Sequence, residues 1–494
     1  MIDIKSLFLI ISLFTLSHAG FSQEDNQLID ETYTPDKIKE ITGFLASDEL
    51  QGRDTPSQGL DAAAEYISTA FKKYGLETLP GCEEYYQPVK MALNRQPEII
   101  NVKIDGHDIP SEISSIHISG PSSLTEGQWV LIDSAEQDLD DMDLRNKIVL
   151  FIVNQNNYQN SRQVILTSRQ MKALAEKKGA AGFIEIFKQT DQFWNRLSNY
   201  YGGERIRLGH SKEGEKDIIH IVIRDSGNFF SSEIKEYSNK KIGIEISGWK
   251  NEEFITNNVV GMVEGKDPIL KDEYIICTAH YDHIGIGKPD VTGDSIYNGA
   301  RDNAIGVMST MMAAENISKF PVKRSVIFVL FTGEEKGLLG SWWFVDSSPV
   351  SLKDIAFCLN IDGGGYNDTT IATIIGKRRV NSHGIFEQAC RENGIEAFEG
   401  NDNVQLLFNG SDNILFSQKG IPSVTFSPGF RNMDAEIMKY YHQPSDEVES
   451  LDFIYVEKYS RAIGLSLRMI ANSEKRIFWK EGDEFYSLGK ELYE

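Results

Sequence analysis

Across residues 34–75 the polar and apolar positions repeat with the period of a helix. Ala63, Tyr66, Ile67, Ala70, Phe71 and Tyr74 fall on one face, and the pattern stops at Gly75. Two helices are predicted here, joined by SDELQGRDTPSQG, whose Ser, Asp, Gly and Pro are loop formers. Between residues 95 and 255 the texture changes to short apolar runs, WVLI, KIVLFIV, GFIEIF, IIHIVI and KIGIEI. One amphipathic helix, RQVILTSRQMKALAEKK, ends at Gly179 and leads directly into GFIEIF, so this stretch is expected to be a separate β-rich module. After Asn257 strand, loop and helix alternate: YIICTA, a helix from Ala304 towards Ile317, SVIFVLF, AFCLNI, and a helix around Ile385 to Asn393. Apolar strands that do not alternate with polar residues are buried on both faces. With helices between them they predict an α/β fold, a mainly parallel central sheet sandwiched by helices.

At 494 residues the chain exceeds one ordinary core, so more than one domain is expected. A composition of 40% hydrophobic and 25% charged residues is that of a globular chain. The net charge of -23 argues against a nucleic-acid partner, because binding to phosphates needs clustered Lys and Arg. The opening MIDIKSLFLIISLFTLSHAGFSQ sets Lys5 before an apolar stretch from Leu7 to Leu16, with the small residues Ser17 and Ala19 after it, the layout of a secretory signal over residues 1–19. That stretch is shorter than the roughly 20 residues a spanning helix needs. The mature chain is therefore expected to be exported, periplasmic or extracellular, with no stable membrane insertion. Cys82, Cys277, Cys358 and Cys390 lack CxxC spacing, which points away from a thiolate metal site, and Cys277 and Cys358 fall in strand-like runs as packed thiols.

Candidate chemistry collects where strands end, the edge at which open α/β sheets bind ligands. YIICTA runs into His280-Tyr281-Asp282, where strand alternation leaves His280 and Asp282 on one side. At that spacing the carboxylate could take the second imidazole N–H and fix the tautomer of a metal-bound histidine. A lone His-x-Asp is more often a structural pair, and His283 could be a further ligand but reads better as a solvated loop histidine. SVIFVLF runs into Glu334-Glu335, and AFCLNI into Asp362 followed by three glycines. Asp302 in NGARDNAIG and His442 in KYYHQPSDEVE sit in loop-like sequence. Singly, Asp302 could be a helix cap, Asp362 a turn residue and His442 a packed loop histidine. Together the six are a mixed imidazole and carboxylate set that suits zinc. Two ions about 3.5–4 Å apart sharing one carboxylate would use five of the six and leave one to handle a proton.

The chain resembles the co-catalytic di-zinc aminopeptidases, the exported bacterial leucyl aminopeptidase type related to glutamate carboxypeptidase II. The matching pieces are NNVVGMVEGKDPILKDEYIICTAHYDHIG, IYNGARDNAIGV, FTGEEKGLLGS, LNIDGGG, GSDNILFSQKGIPSV and YYHQPSDEVE, in the family's order, with FLASDELQGRDTPSQGLDAAAEYI near the N-terminus. LRNKIVLFIV and ALAEKKGAAGFIEI resemble a protease-associated domain. The resemblance implies a zinc exopeptidase fold over residues 20–95 and 256–494, with a protease-associated domain inserted over 96–255. It also implies that Asp302 bridges two zinc ions, with His280 and Asp362 completing one site and Glu335 and His442 the other. Glu334 would be the general base, Asp282 would stand behind His280, and Tyr441 would be a candidate for stabilising the oxyanion. A cis peptide is implied at Asp302–Asn303.

The implied activity is hydrolysis of the N-terminal bond of peptide substrates by a water activated between two zinc ions. Alternatives within the fold are a carboxypeptidase or dipeptidase, or a glutaminyl-cyclase-like acyltransferase with a single zinc; ligand loss would leave a binding ectodomain. Three positions depart from the family pattern: Arg301 replaces an acid before Asp302, Ile305 replaces a small polar residue, and Ser411-Asp412-Asn413 replaces Ser-Asp-His. None of them is a ligand, and all three bear on the substrate pocket.

Overall fold

The computed structural model describes residues 24–494, apart from 105–106, 109–114, 121–122, 134–141, 155–160, 189–193, 196, 199–203, 210–217, 226–240 and 249. The secretory signal read over residues 1–19 lies outside the described residues. The chain divides into two compact units, one running to Val89 and resuming over Ile255–Glu494, the other Lys90–Phe254.

In the first unit the central sheet contains β1 (Lys250–Val263), β2 (Tyr274–His280), β3 (Ser325–Phe331), β4 (Ile355–Ile361), β5 (Ile371–Ile375), β6 (Glu396–Phe398) and β7 (Ser423–Pro428), in the order β6-β5-β7-β4-β2-β3-β1. The four middle strands β7, β4, β2 and β3 are parallel, whereas β1 on β3 and β5 on β7 are antiparallel, so the mainly parallel sheet is mixed at its flanks. Side chains alternate between its faces. Val326, Phe328 and Leu330 of β3 join the larger core, with α1 (Pro35–Leu45), α2 (Gln58–Tyr74), α3 (Ile305–Lys319) and the long helix Phe453–Asn472. Ile327, Val329 and Phe331 join the smaller core on the other face, with Phe344 and Phe416. An uninterrupted apolar run is what a strand covered on both faces requires.

The helices begin and end where their sequence signals lie. Thr34 and Ser57 cap α1 and α2 by accepting N–H groups of the first turn, and Gly75 closes α2 in the left-handed conformation at φ 78. The expected loop between them forms a 3-10 turn over Asp48–Arg53.

The second unit holds a five-stranded sheet in the order Ser115–Ser119, Ile219–Arg224, Gly182–Lys188, Ile148–Asn154, Trp129–Ile132, and a four-stranded sheet built on Ile99–Ile104 and Ile242–Ser247. The amphipathic helix is Ser161–Lys177. Within this unit Glu185 is buried between the Ser168 hydroxyl, which donates to it at 2.6 Å, and His220 Nε2 at 2.7 Å. All four cysteines are buried and free.

The contact between α2 and the sheet passes through Gly261 of β1. A Cβ there would fall 2.7 Å from Leu76 Cδ2 and 2.8 Å from Phe71 Cδ2. Gly261→Val should destabilise the protein by about 1–3 kcal/mol through overpacking, read from the midpoint of urea unfolding; an unchanged midpoint would mean the interface yields freely.

Candidate active site

Neighbouring parallel strands in register deliver their C-terminal ends to the same edge. His280, the last residue of β2, pairs with Phe331, the last of β3, and β4 on the other side of β2 ends at Ile361. The residues that follow are Glu334-Glu335 after β3 and Asp362 after β4, so three separate sequence pieces converge. Asp302 comes from the turn that opens α3, and His442 from the loop after β7. The Asp302–Asn303 peptide is cis.

The side chains form two sets that meet at Asp302. His280 Nε2 lies 3.2 Å from Asp302 Oδ1 and 3.2 Å from Asp362 Oδ1. His442 Nε2 lies 3.3 Å from Asp302 Oδ2 and 3.3 Å from Glu335 Oε1. Each oxygen of one carboxylate therefore faces a different histidine. Ligand atoms of His280, Asp302 and Asp362 lie within 4.8 Å of one another, as do those of His283, Asp302 and Glu335. That donor chemistry fits zinc. Glu334 lines the same cavity, with Gly363, Gly364, Gly365, Ser411, Tyr441 and the apolar Ile375, Leu407, Phe430, Met433 and Ile437.

The supports are as specific as the donors. Asp282 accepts the backbone N–H of Glu334 at 3.1 Å and of Glu335 at 3.3 Å, so one carboxylate orients both glutamates. His280 Nδ1 pairs with the backbone carbonyl of Asp282 at 3.1 Å, nearer than the carboxylate at 3.8 Å. The backbone carbonyl of Asp282 thus stands nearer to the imidazole than the expected carboxylate, whose two oxygens also accept the glutamate N–H groups. Asp446 accepts the N–H groups of Arg301 and Asp302, and the Ser411 hydroxyl donates to Asp362 Oδ2. Tyr441 stacks on His442 with ring centroids 4.0 Å apart, and its ring occupies the space a Cβ at Gly364 would need, 2.1 Å from Cδ2.

Two supports were not legible in the sequence. His283, expected in solvent, is fully buried with Nδ1 2.9 Å from Glu335 Oε1. The tertiary fold closes over it: its N–H donates to the Arg53 carbonyl, and Gly299 packs against its ring. Arg53, in a stretch that reads only as loop, is 1% exposed. Its guanidinium donates to the carbonyls of Leu45, Tyr281, Asn298 and Gly299, tying the end of β2 to the loop that leads to Asp302. A single Arg among turn residues carries no periodic signal that would reveal this.

Burial and charge act in opposite directions here. Burial raises the Glu334 carboxyl well above its usual range, with Asp362 and Glu335 adding to the rise against the effect of His280. Burial would also raise Asp302, but hydrogen bonding to His280 and His442 holds it well below. For Glu335, burial and the Asp302 charge are outweighed by His283 and His442, leaving it at about 2. Burial pushes Asp282 up to about 6 and lowers Arg53 to about 10.

Residues 258–464 match the sequence model of peptidase family M28. Aminopeptidase YwaD of Bacillus subtilis is 27% identical over 240 residues, 43% of this chain and 49% of that protein. A probable leucine aminopeptidase 2 of Aspergillus oryzae is 31% identical over 114 residues, 23% of this chain and 20% of its own. The matched stretch thus spans about half or less of these relatives. Among solved structures, an aminopeptidase from Aneurinibacillus sp. strain AM-1 superposes with a TM-score of 0.53 at 19% identity, over 91% of this chain and 97% of that one, a likeness of fold.

Burial lowers the His442 imidazole, but hydrogen bonds to Asp302 and Glu335 and their charges outweigh it and push it up to about 10. A raised histidine stabilises the fold fully below its unfolded value of about 6.5 and loses that contribution as pH rises through the folded value. Protein stripped of metal by a chelator should therefore lose thermal stability from about pH 7 to about pH 10. His442→Asn should flatten that slope, and a Tm that is level in both proteins would show that the imidazole is uncharged.

Proposed function

We propose that this chain, whose residues 258–464 match the model of peptidase family M28, is an exported, zinc-dependent aminopeptidase with two zinc ions per chain and Glu334 as general base. What supports two ions over one is the sharing of Asp302, one oxygen towards each histidine. His280 and Asp362 would hold one ion, Glu335 and His442 the other, and Asp302 both. Zinc, when bound, would supply Lewis-acid polarisation of the peptide carbonyl and a water of lowered pKa, from about 15.7 towards 7.

The chain's own residues do the rest. Glu334, held by its N–H on Asp282 and with its carboxyl raised by burial, so that it takes up a proton more readily than a free carboxylate, would take the proton of the attacking water as the new C–O bond forms. It would return that proton to the leaving amine as the C–N bond breaks. The Tyr441 hydroxyl would stabilise the developing oxyanion, with the ring fixed between Gly364 and His442. Among the described residues, those lining the cavity include carboxylates but no Lys or Arg. A substrate ammonium suits such a wall, whereas a carboxypeptidase needs a cation for the terminal carboxylate. The cavity measures about 120 Å³, a little less than the roughly 150 Å³ apolar cavity that admits benzene. It has room for one side chain, and its apolar lining favours Leu or Met over Asp. Export rests on the signal read over residues 1–19; among the described residues no helix is long and apolar enough to cross a membrane.

Glu334→Gln should lower kcat by about 10²–10⁴ on leucyl anilide while zinc content by atomic absorption stays at the wild-type level. Glu335→Ala should lose zinc first. N-acetylation of the substrate should abolish cleavage, and turnover of the blocked substrate at the free-amine rate would sink the aminopeptidase assignment.

A further inference from the structure

Arg301, one residue before Asp302, is 4% exposed, and its guanidinium is clasped between two rings. It lies 4.3 Å from the ring centroid of Tyr366 and 3.8 Å from that of Tyr440. Nη1 donates to the Tyr366 carbonyl at 3.2 Å, Nη2 to the Ser450 carbonyl at 2.6 Å, and Nε to the Ser450 hydroxyl at 3.2 Å. Its contact with the Asp446 carboxylate is longer, 3.9 Å. A planar cation with a fork of donors can stack on rings and bond at its edge at once, which a lysine cannot.

Those partners belong to the segments that carry the site. Tyr366 follows Asp362 and the three glycines, and Tyr440 precedes Tyr441 and His442. His442 is the most exposed of the five candidate ligands, its side chain at 33% against 1% for His280, 5% for Asp302, 7% for Glu335 and 15% for Asp362. Its backbone also sits at φ 53, in the left-handed region that a non-glycine residue occupies at a cost. Downstream, Asp446 ties its loop back by accepting the N–H groups of Arg301 and Asp302. Upstream, the Arg301 guanidinium lies over the Tyr440 ring. Lys439 also reaches Tyr440, bonding its hydroxyl at 2.9 Å, but Lys439 is exposed and lies on the same loop.

We infer that Arg301 is a positioning residue that docks the Tyr440–His442 loop against Asp302 and so sets the affinity of the Asp302–Glu335–His442 zinc site, leaving the His280–Asp362 site largely untouched. This rests on the two-zinc reading above.

The test is a calorimetric titration of chelator-stripped protein with zinc. Wild type should take up two equivalents. In Arg301→Met one equivalent should stay within about twofold and the other weaken by about tenfold or more, the scale of a desolvated cation–π contact. Tyr440→Leu, at a half-buried position with less risk to folding, should reproduce the selective loss, and Tyr440→Phe should restore tight uptake. The Arg301→Met/Tyr440→Leu double variant should be no weaker than the worse single variant, because Arg301→Met already removes the cation–ring contact that Tyr440→Leu removes. Equal weakening of both equivalents, or no weakening in either single variant, would overturn the inference. A wild type that takes up only one equivalent would instead overturn the two-zinc reading.

Discussion

The candidate site depends on one carboxylate shared between two histidines. Asp302 presents Oδ1 to His280 and Oδ2 to His442, and that division turns two separate clusters into one centre. The arrangement is electrostatically demanding. Asp282, Asp302, Glu334, Glu335, Asp362, Asp412 and Asp446 crowd together; burial raises the carboxyls of Asp282, Glu334, Asp412 and Asp446, whereas the histidines hold Asp302 and Glu335 low. Buried like charges are tolerated only where cations or hydrogen bonds answer them. Arg53, the histidines and, in the proposed function, two zinc ions are those answers.

The sheet makes the clustering affordable. β3, β2 and β4 are adjacent and parallel, so their last residues emerge together without long connections. The remaining donors ride on loops, and the loops carry the extra supports. Arg53 ties the end of β2 to the Asn298–Gly299 backbone, Asp446 holds the N–H groups of Arg301 and Asp302, and Arg301 bridges the rings of Tyr366 and Tyr440. Asp282 is the point where the strand-borne and loop-borne parts are coupled. Its backbone carbonyl faces His280, while its carboxylate fixes the two glutamates that the proposed mechanism gives different tasks.

Much of this was legible in the chain. The helix over residues 58–74, the buried strands and the strand-end positions of His280, Glu334, Glu335 and Asp362 follow from periodicity and from residue type at strand ends. Asp302 and His442 were singled out only in combination with the others and by resemblance, since each alone reads as a cap or a packed loop residue. His283 was misread as solvated because its burial comes from Arg53 and Gly299, remote in sequence. Arg301 stood out as a departure, but its aromatic partners lie 65 and 139 residues away, beyond any local pattern.

The sequence by itself determined the α/β alternation and the placement of His280, Glu334, Glu335 and Asp362 at strand ends, because strand burial and residue chemistry are local properties. Only the tertiary structure decided which oxygen faces which histidine, that a carbonyl rather than a carboxylate holds His280, and that Arg53, His283 and Arg301 stand behind the site. Those outcomes depend on strand register and loop closure between distant segments, and directional contacts of that kind appear only when the segments meet in three dimensions.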